Sequence, residues 1–497
     1  MHLRQTLAAL MAIIAFIALP ASAQESRAKS PESAGIFSLL PVDSTTAHVL
    51  KTTTGNLPYT ATAGTLSLRG QDGSVTAKVF YTAYVAKGRP AKRPLTFAFN
   101  GGPGAASAYL HLGLVGPKIL DFGPNSDDGT TPVLKDNPES WLAFTDLVLI
   151  DPIGTGWSRA SSNDAAANFY NVKQDAETIA KVITLYLQHN NRTASPKYLL
   201  GESYGGFRAA KVAAALKDSQ GILVSGIIMV SPLIEARLLF GATDYPLGAA
   251  LQLPSLAAAE LERKGAFSPQ ALAKAEQFAM TDYLVTLAGA TPTGAAADAF
   301  YARIAGLTGI SKDDVARARG FVGDIYTKAA GVKAQKVVSP YDASYQARDP
   351  YPELAYDHSD DPILDGFTRA YGPAFVSYAR NDLGFACDMT YNLLNEDVNR
   401  QWGWNDNRTE ASVSGDIREL LATIPSFRLM VAHGYSDALT PYGASRYVLN
   451  HLPPSLAASR VALKLYRGGH MFYTSPDSRR AMAEDARKFF AGEASTE

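Results

Sequence analysis

Three short stretches hold the residue types that acyl transfer needs. LLGESYGG, 199–206, sets Ser203 between Gly201 and Gly205. AHGYSDALTP, 432–441, carries Asp437, and LYRGGHMFY, 465–473, carries His470. A serine hydroxyl is a weak nucleophile until a histidine takes its proton. That histidine needs a carboxylate to hold its tautomer. Such chemistry also needs donors aimed at the oxyanion that develops during attack. The N–H of Tyr204, the residue after the serine, is one. FNGGPGAAS, 99–107, is a run of small residues whose backbone can approach a substrate closely, and it supplies the other.

These side chains must be positioned by strands that stop just short of them. KYLL precedes the serine and FRAAKVAAALK, with its alanine-rich amphipathic pattern, follows it. Strand, sharp turn and helix with a serine at the apex is the context of a G-x-S-x-G elbow. FRLMVA runs into the turn of Asp437, and VALKLY runs into the loop of His470. The order serine, acid, histidine, each after a strand, is that of the α/β-hydrolases.

From 141 to 235, apolar strands alternate with helical segments, as in DLVLID, NVKQDAETIAKVITLYLQH, KYLL and GIIMVS. This predicts an α/β fold: a central, mostly parallel sheet flanked by helices. Residues 49–100 read as an opening β-meander. Residues 236–385 are alanine-rich and helical in pattern, and are expected to form a helical cap insertion. The expected division is a core over 46–235 and 386–497 with the cap between, preceded by a mobile arm over 24–45. Residues 1–23, with Arg4, an apolar stretch and Ala21-Ser22-Ala23, have the form of a secretory signal peptide. Export to the periplasm or secretion is the expectation, with no membrane span in the mature chain.

The 46 basic and 47 acidic residues nearly cancel, which gives no support to a nucleic-acid partner. The single cysteine, Cys387, rules out an internal disulfide and cysteine-type metal sites. The eight histidines show no metal-ligand spacing, and acyl transfer by serine, histidine and aspartate is expected to need neither metal nor organic cofactor.

NGGPGAAS with VGP at 115–117, DPIGTGWS at 151–158, GESYGG, GYSD and GGHM, taken in order, resemble the serine carboxypeptidases. The resemblance implies Ser203 as nucleophile, His470 as base and Asp437 as its orienting acid. It implies Gly102 and Tyr204 as oxyanion donors. It also implies Asn100, Gly101 and Glu202 as the groups that recognise a free C-terminal carboxylate, Glu202 donating when protonated. The substrate class would be a peptide with a free C-terminus, and DPIGTGWS would line the leaving-group side. Three positions depart from the family: Ala105 replaces a disulfide cysteine, Ala98 a tryptophan, and Leu114 a second glutamate that pairs with the elbow glutamate. The last departure keeps open an alternative, an esterase or acyltransferase with the same triad.

Overall fold

A computed structural model describes residues 35–52, 55–88, 92–123, 127–240, 244–404 and 407–493. The expected signal peptide and the first part of the expected arm lie outside these residues. Strands β1 (Ser44–Thr52), β2 (Gly55–Arg69) and β3 (Val75–Ala86) form an antiparallel meander. Strand β4 (Leu95–Phe99) is followed by β5 (Asp146–Ile150) and helix α1 (Val172–His189). Then come β6 (Lys197–Glu202), helix α2 (Tyr204–Gln220) and β7 (Gly226–Val230). Helices α3 (Pro246–Arg263) and α4 (Tyr371–Asn381) precede β8 (Arg428–Gly434), β9 (Val461–Tyr466) and the closing helix α5 (Pro476–Ala491).

The sheet order is β1-β2-β3-β5-β4-β6-β7-β8-β9, with the short strand Arg159–Ala160 paired to β3. From β5 to β9 every neighbour is parallel. All five residues of β4, β5 and β7 are buried, because helices cover both faces of these strands. Leu199, Ile227 and Val431 face α1 and α2, whereas Leu200, Ile228 and Met430 face α4 and α5. This is the α/β-hydrolase fold, a mostly parallel sheet between helical layers.

Several expectations need correction. LTFAF does not close the meander: β4 lies inside the parallel sheet, between β5 and β6. The expected mobile arm is ordered from residue 35, where a short helical turn buries Phe37 before β1 begins at Ser44. The segment expected as a helical cap insertion also contains a small hairpin, Lys336–Val338 with Gln346–Arg348. Nor is that segment one layer. Leu253, Phe278, Phe300 and Ile304 share a core of their own. Tyr371, Phe375 and Tyr378, spaced to share one face of α4, pack instead onto the sheet.

Among the described residues no helix is long and apolar enough to cross a membrane. Among the same residues, no cluster of histidine, cysteine and acidic side chains could hold a metal ion.

Candidate active site

The register aligns the carboxyl ends of the parallel strands, where open α/β sheets bind ligands. Gly201 pairs with Phe99 on one side and Met229 on the other. Asn100, Ser203 and Ser231 therefore leave the sheet at one level. Asp437 follows β8 and His470 follows β9 at the same edge.

Ser203 has φ 61° and ψ −126°, a strained conformation for a residue with a side chain. Its glycine neighbours explain how the turn closes. A Cβ on Gly201 would lie 1.9 Å from the carbonyl oxygen of Gly205, and one on Gly205 would lie 2.6 Å from that of Phe99. A Cβ on Gly101 would lie 2.6 Å from the Tyr204 nitrogen, so the two candidate donor loops touch through bare backbone. Tyr204 opens α2, and its N–H is among the first four of the helix, which have no intrahelical acceptor. Arg208, one turn into α2, pairs with the buried Asp175 at 2.7 Å and donates to the carbonyl oxygen of Asn100. The helix thus fixes both its own start and the glycine-rich loop.

His470 Nδ1 lies 2.9 Å from Asp437 Oδ2. Asp437 Oδ1 accepts from the backbone N–H groups of Leu439 and Thr440, at 3.0 and 2.9 Å. Thr440 Oγ1 sits 2.8 Å from Asp437 Oδ2, 3.0 Å from His470 Nδ1 and 2.9 Å from the carbonyl oxygen of Ser231. Ser231, itself at φ 44°, donates its hydroxyl to the carbonyl oxygen of His470 at 2.8 Å. The carboxylate is therefore fixed through both oxygens, and the imidazole through ring and backbone. Burial pulls the His470 pKa down, but the Asp437 carboxylate and, further off, Glu202 push it up, and the net shift is upward. His433, 4.0 Å from Asp437 Oδ2, is held down at about 4 by burial and stays neutral.

Ser203, His470, Gly101, Gly102, Asn100 and Glu202 line one cavity of about 230 Å³. The structure thus brings together six of the eight residues singled out in the sequence. Asp437 stands behind His470, and Tyr204 follows Ser203 in chain. Glu202 is 3% exposed, and its Oε2 accepts from Asn100 Nδ2 and from the Tyr473 hydroxyl, both at 2.8 Å. Burial raises its pKa to about 7, outweighing the opposing pull of His470 and of the two hydrogen bonds. Below that pH the group is a carboxylic acid. Because Oε2 already serves two donors, the proton belongs on Oε1.

Leu114 is fully buried in the apolar core beneath the sheet and lines no part of this cavity. In place of a second carboxyl, Glu202 meets the Tyr473 hydroxyl, three residues after His470, and this donor pulls its pKa down against the larger effect of burial. Sequence reasoning missed Tyr473, Thr440 and Ser231. The only local signal was that Thr440 and Tyr473 lie in the loops that carry Asp437 and His470, while Ser231 follows β7, a strand end that carries no triad residue.

One further expectation changes. DPIGTGWS does not line the cavity. Asp151 accepts from Ser107 N–H at 2.8 Å, and Gly156 pairs with Asn392, so this loop braces the glycine-rich one from behind. The missing disulfide at Ala105 is replaced by backbone pairing: Ala106 N–H donates to the Leu393 carbonyl, and Asn395 N–H to that of Gly104, both at 2.8 Å.

Residues 53–237 match the sequence profile described as serine carboxypeptidase. The pheromone-processing carboxypeptidase KEX1 of Phytophthora infestans is 34% identical, over 29% of this chain and 24% of its own length. Serine carboxypeptidase-like 44 of Arabidopsis thaliana is 29% identical, over 28% of each chain. The chain thus spans about a quarter of the length of these two relatives. A longer match, to serine carboxypeptidase-like 32 of Arabidopsis thaliana, is 22% identical over 78% of each. Among solved structures, the prohormone-processing carboxypeptidase KEX1(Δ)p of Saccharomyces cerevisiae superimposes with a TM-score of 0.55 at 15% identity. It covers 87% of this chain and 91% of its own.

Proposed function

We propose that this chain, whose residues 53–237 match the serine carboxypeptidase family, hydrolyses C-terminal peptide bonds through an acyl-enzyme on Ser203. Ser203 Oγ attacks the scissile carbonyl while His470 Nε2 takes its proton. Asp437, bonded to Nδ1, holds that tautomer and stabilises the imidazolium. The N–H groups of Gly102 and Tyr204 receive the oxyanion. His470 then returns the proton to the departing amino acid, and water releases the acyl group by the reverse sequence. The chain's own residues supply every step.

The observation that carries the exopeptidase assignment is the buried Glu202 carboxyl, in the same cavity as the nucleophile and raised to about 7. A neutral carboxylic acid donates to a substrate carboxylate, whereas an ionised one repels it. The sign of the pH dependence follows. Capture of a free C-terminus is present below about pH 7 and is lost as pH rises through it. Well above that point, kcat/KM for a free-acid peptide is expected to fall about tenfold per pH unit. At the acid side, any substrate loses turnover as His470 becomes protonated, a limb set by its raised pKa. The two limbs give a bell near neutrality for free acids and no alkaline loss of this kind for esters. Rates for a blocked dipeptide and its ester from about pH 4 to 9 check this. A free-acid profile that follows the ester's at alkaline pH would sink Glu202 as the capturing group.

A second reading, esterase or acyltransferase, is favoured by Leu114 in place of the second glutamate. It predicts ester turnover with no advantage from a free carboxylate. Export to the periplasm or secretion is supported by residues 1–23 and is checked by sequencing the N-terminus of the natively produced protein. The expected mature start is residue 24, and a protein that retains Met1 contradicts export through this segment.

A further inference from the structure

We propose that the Tyr109 hydroxyl is a second donor to the substrate's C-terminal carboxylate, on the wall where Glu202 is the first. The inference rests on the carboxypeptidase reading and names a specificity-determining residue of that same site.

Tyr109 lines the cavity with Ser203, Asn100 and Glu202. Its side chain is 3% exposed, yet among the described residues its hydroxyl has no hydrogen-bond partner. Buried hydroxyls are almost always satisfied, so an orphan on a cavity wall marks the place of a ligand atom. The ring is held edge-on against Tyr371 at 5.5 Å, which fixes where the hydroxyl can stand. Burial raises its pKa, so the phenol keeps its proton and stays a donor across the working range.

The ligand is an anion with several acceptor sites. A carboxylate offers about four lone pairs. Asn100 spends one amide proton on Glu202 Oε2, and its Oδ1 accepts from Leu110 N–H at 3.1 Å. Glu202 has only Oε1 to offer. One acid proton, one amide proton and the Gly101 N–H leave an acceptor site open, and Tyr109 fills the shortfall.

The test uses the full chain and its Tyr109→Phe variant, which keeps the ring and removes the hydroxyl. Each is given one N-blocked dipeptide as free acid and as C-terminal amide, at about pH 6, where Glu202 is protonated. The ratio of kcat/KM, free acid over amide, is expected to fall about 10- to 100-fold, with the loss in KM. Its decline with pH above about 7 is expected to persist, because Glu202 remains. Labelling of Ser203 by a serine-directed phosphonate reports whether the nucleophile is still assembled. A ratio within about 2-fold of the parent's overturns the proposal. So does a ratio that falls only together with phosphonate labelling, since the phenol would then be structural. A parent chain with no preference for the free acid overturns the carboxypeptidase reading itself, and this donor with it. A preference that survives Tyr109→Phe overturns the donor alone.

Discussion

Ser203→Ala is expected to lower kcat by about a million-fold for peptide and ester alike, with the fold unchanged. The size of the loss follows from the geometry. Asp437 and His470 are fixed through five hydrogen bonds that do not involve the serine, so the base remains poised with nothing to deprotonate. Residual turnover comes from the oxyanion donors and substrate binding alone. Stability should hardly move, because alanine keeps the Cβ and the strained backbone at φ 61°. Ser203→Gly should lose the same activity but gain roughly 1 kcal/mol, since glycine adopts that conformation without strain. Steady-state rates and thermal melts of the two variants check both halves. A Ser203→Ala protein with more than about a hundredth of the parent rate would remove Ser203 from the mechanism.

Asp437→Asn is expected to cost about ten thousand-fold in kcat. Its Oδ1 can go on accepting from Leu439 and Thr440, so the turn survives. At the Oδ2 position an amide N–H₂ would face His470 Nδ1, now 2.9 Å away. It can only donate there, which moves the ring proton to Nε2, the atom that must accept from Ser203. Thr440, at 3.0 Å from Nδ1, can accept in place of the lost carboxylate and should preserve a small fraction of the active tautomer. Adding Thr440→Val to Asp437→Asn should therefore lower kcat further. Rates of the single and double variants measure this coupling. A loss under about tenfold for Asp437→Asn would mean the histidine is oriented by other groups.

Much of this site was legible because its chemistry sits at strand ends. Ser203, Asp437 and His470 each follow a short apolar run, and a parallel sheet carries such ends to one edge. The glycines around Ser203 were legible for a related reason: only bare backbone allows 201, 205 and 101 to approach as they do. What escaped depends on contacts between distant segments. Tyr473 reaches Glu202 across 271 positions, and nothing in GGHMFY shows that its last residue turns toward the nucleophile. Leu114 could be recognised as a departure, but the hydroxyl that meets Glu202 in place of a second carboxyl could not. The placement of β4 failed because five consecutive buried residues show no alternation. Without it, LTFAF cannot be told from the end of a meander. The hairpin within 336–348 has strands of three residues, too short for any period to register.

On the proposed function, this cavity takes the end of a peptide, and takes it by its carboxylate. The most direct measurement is mass spectrometry of one peptide in two forms, free acid and C-terminal amide, incubated with the parent chain at about pH 6. The expected result is loss of single residues from the C-terminus of the free acid, an amide that stays intact over the same time, and no reaction with Ser203→Ala. Equal trimming of both forms, or cleavage within the peptide, would contradict it.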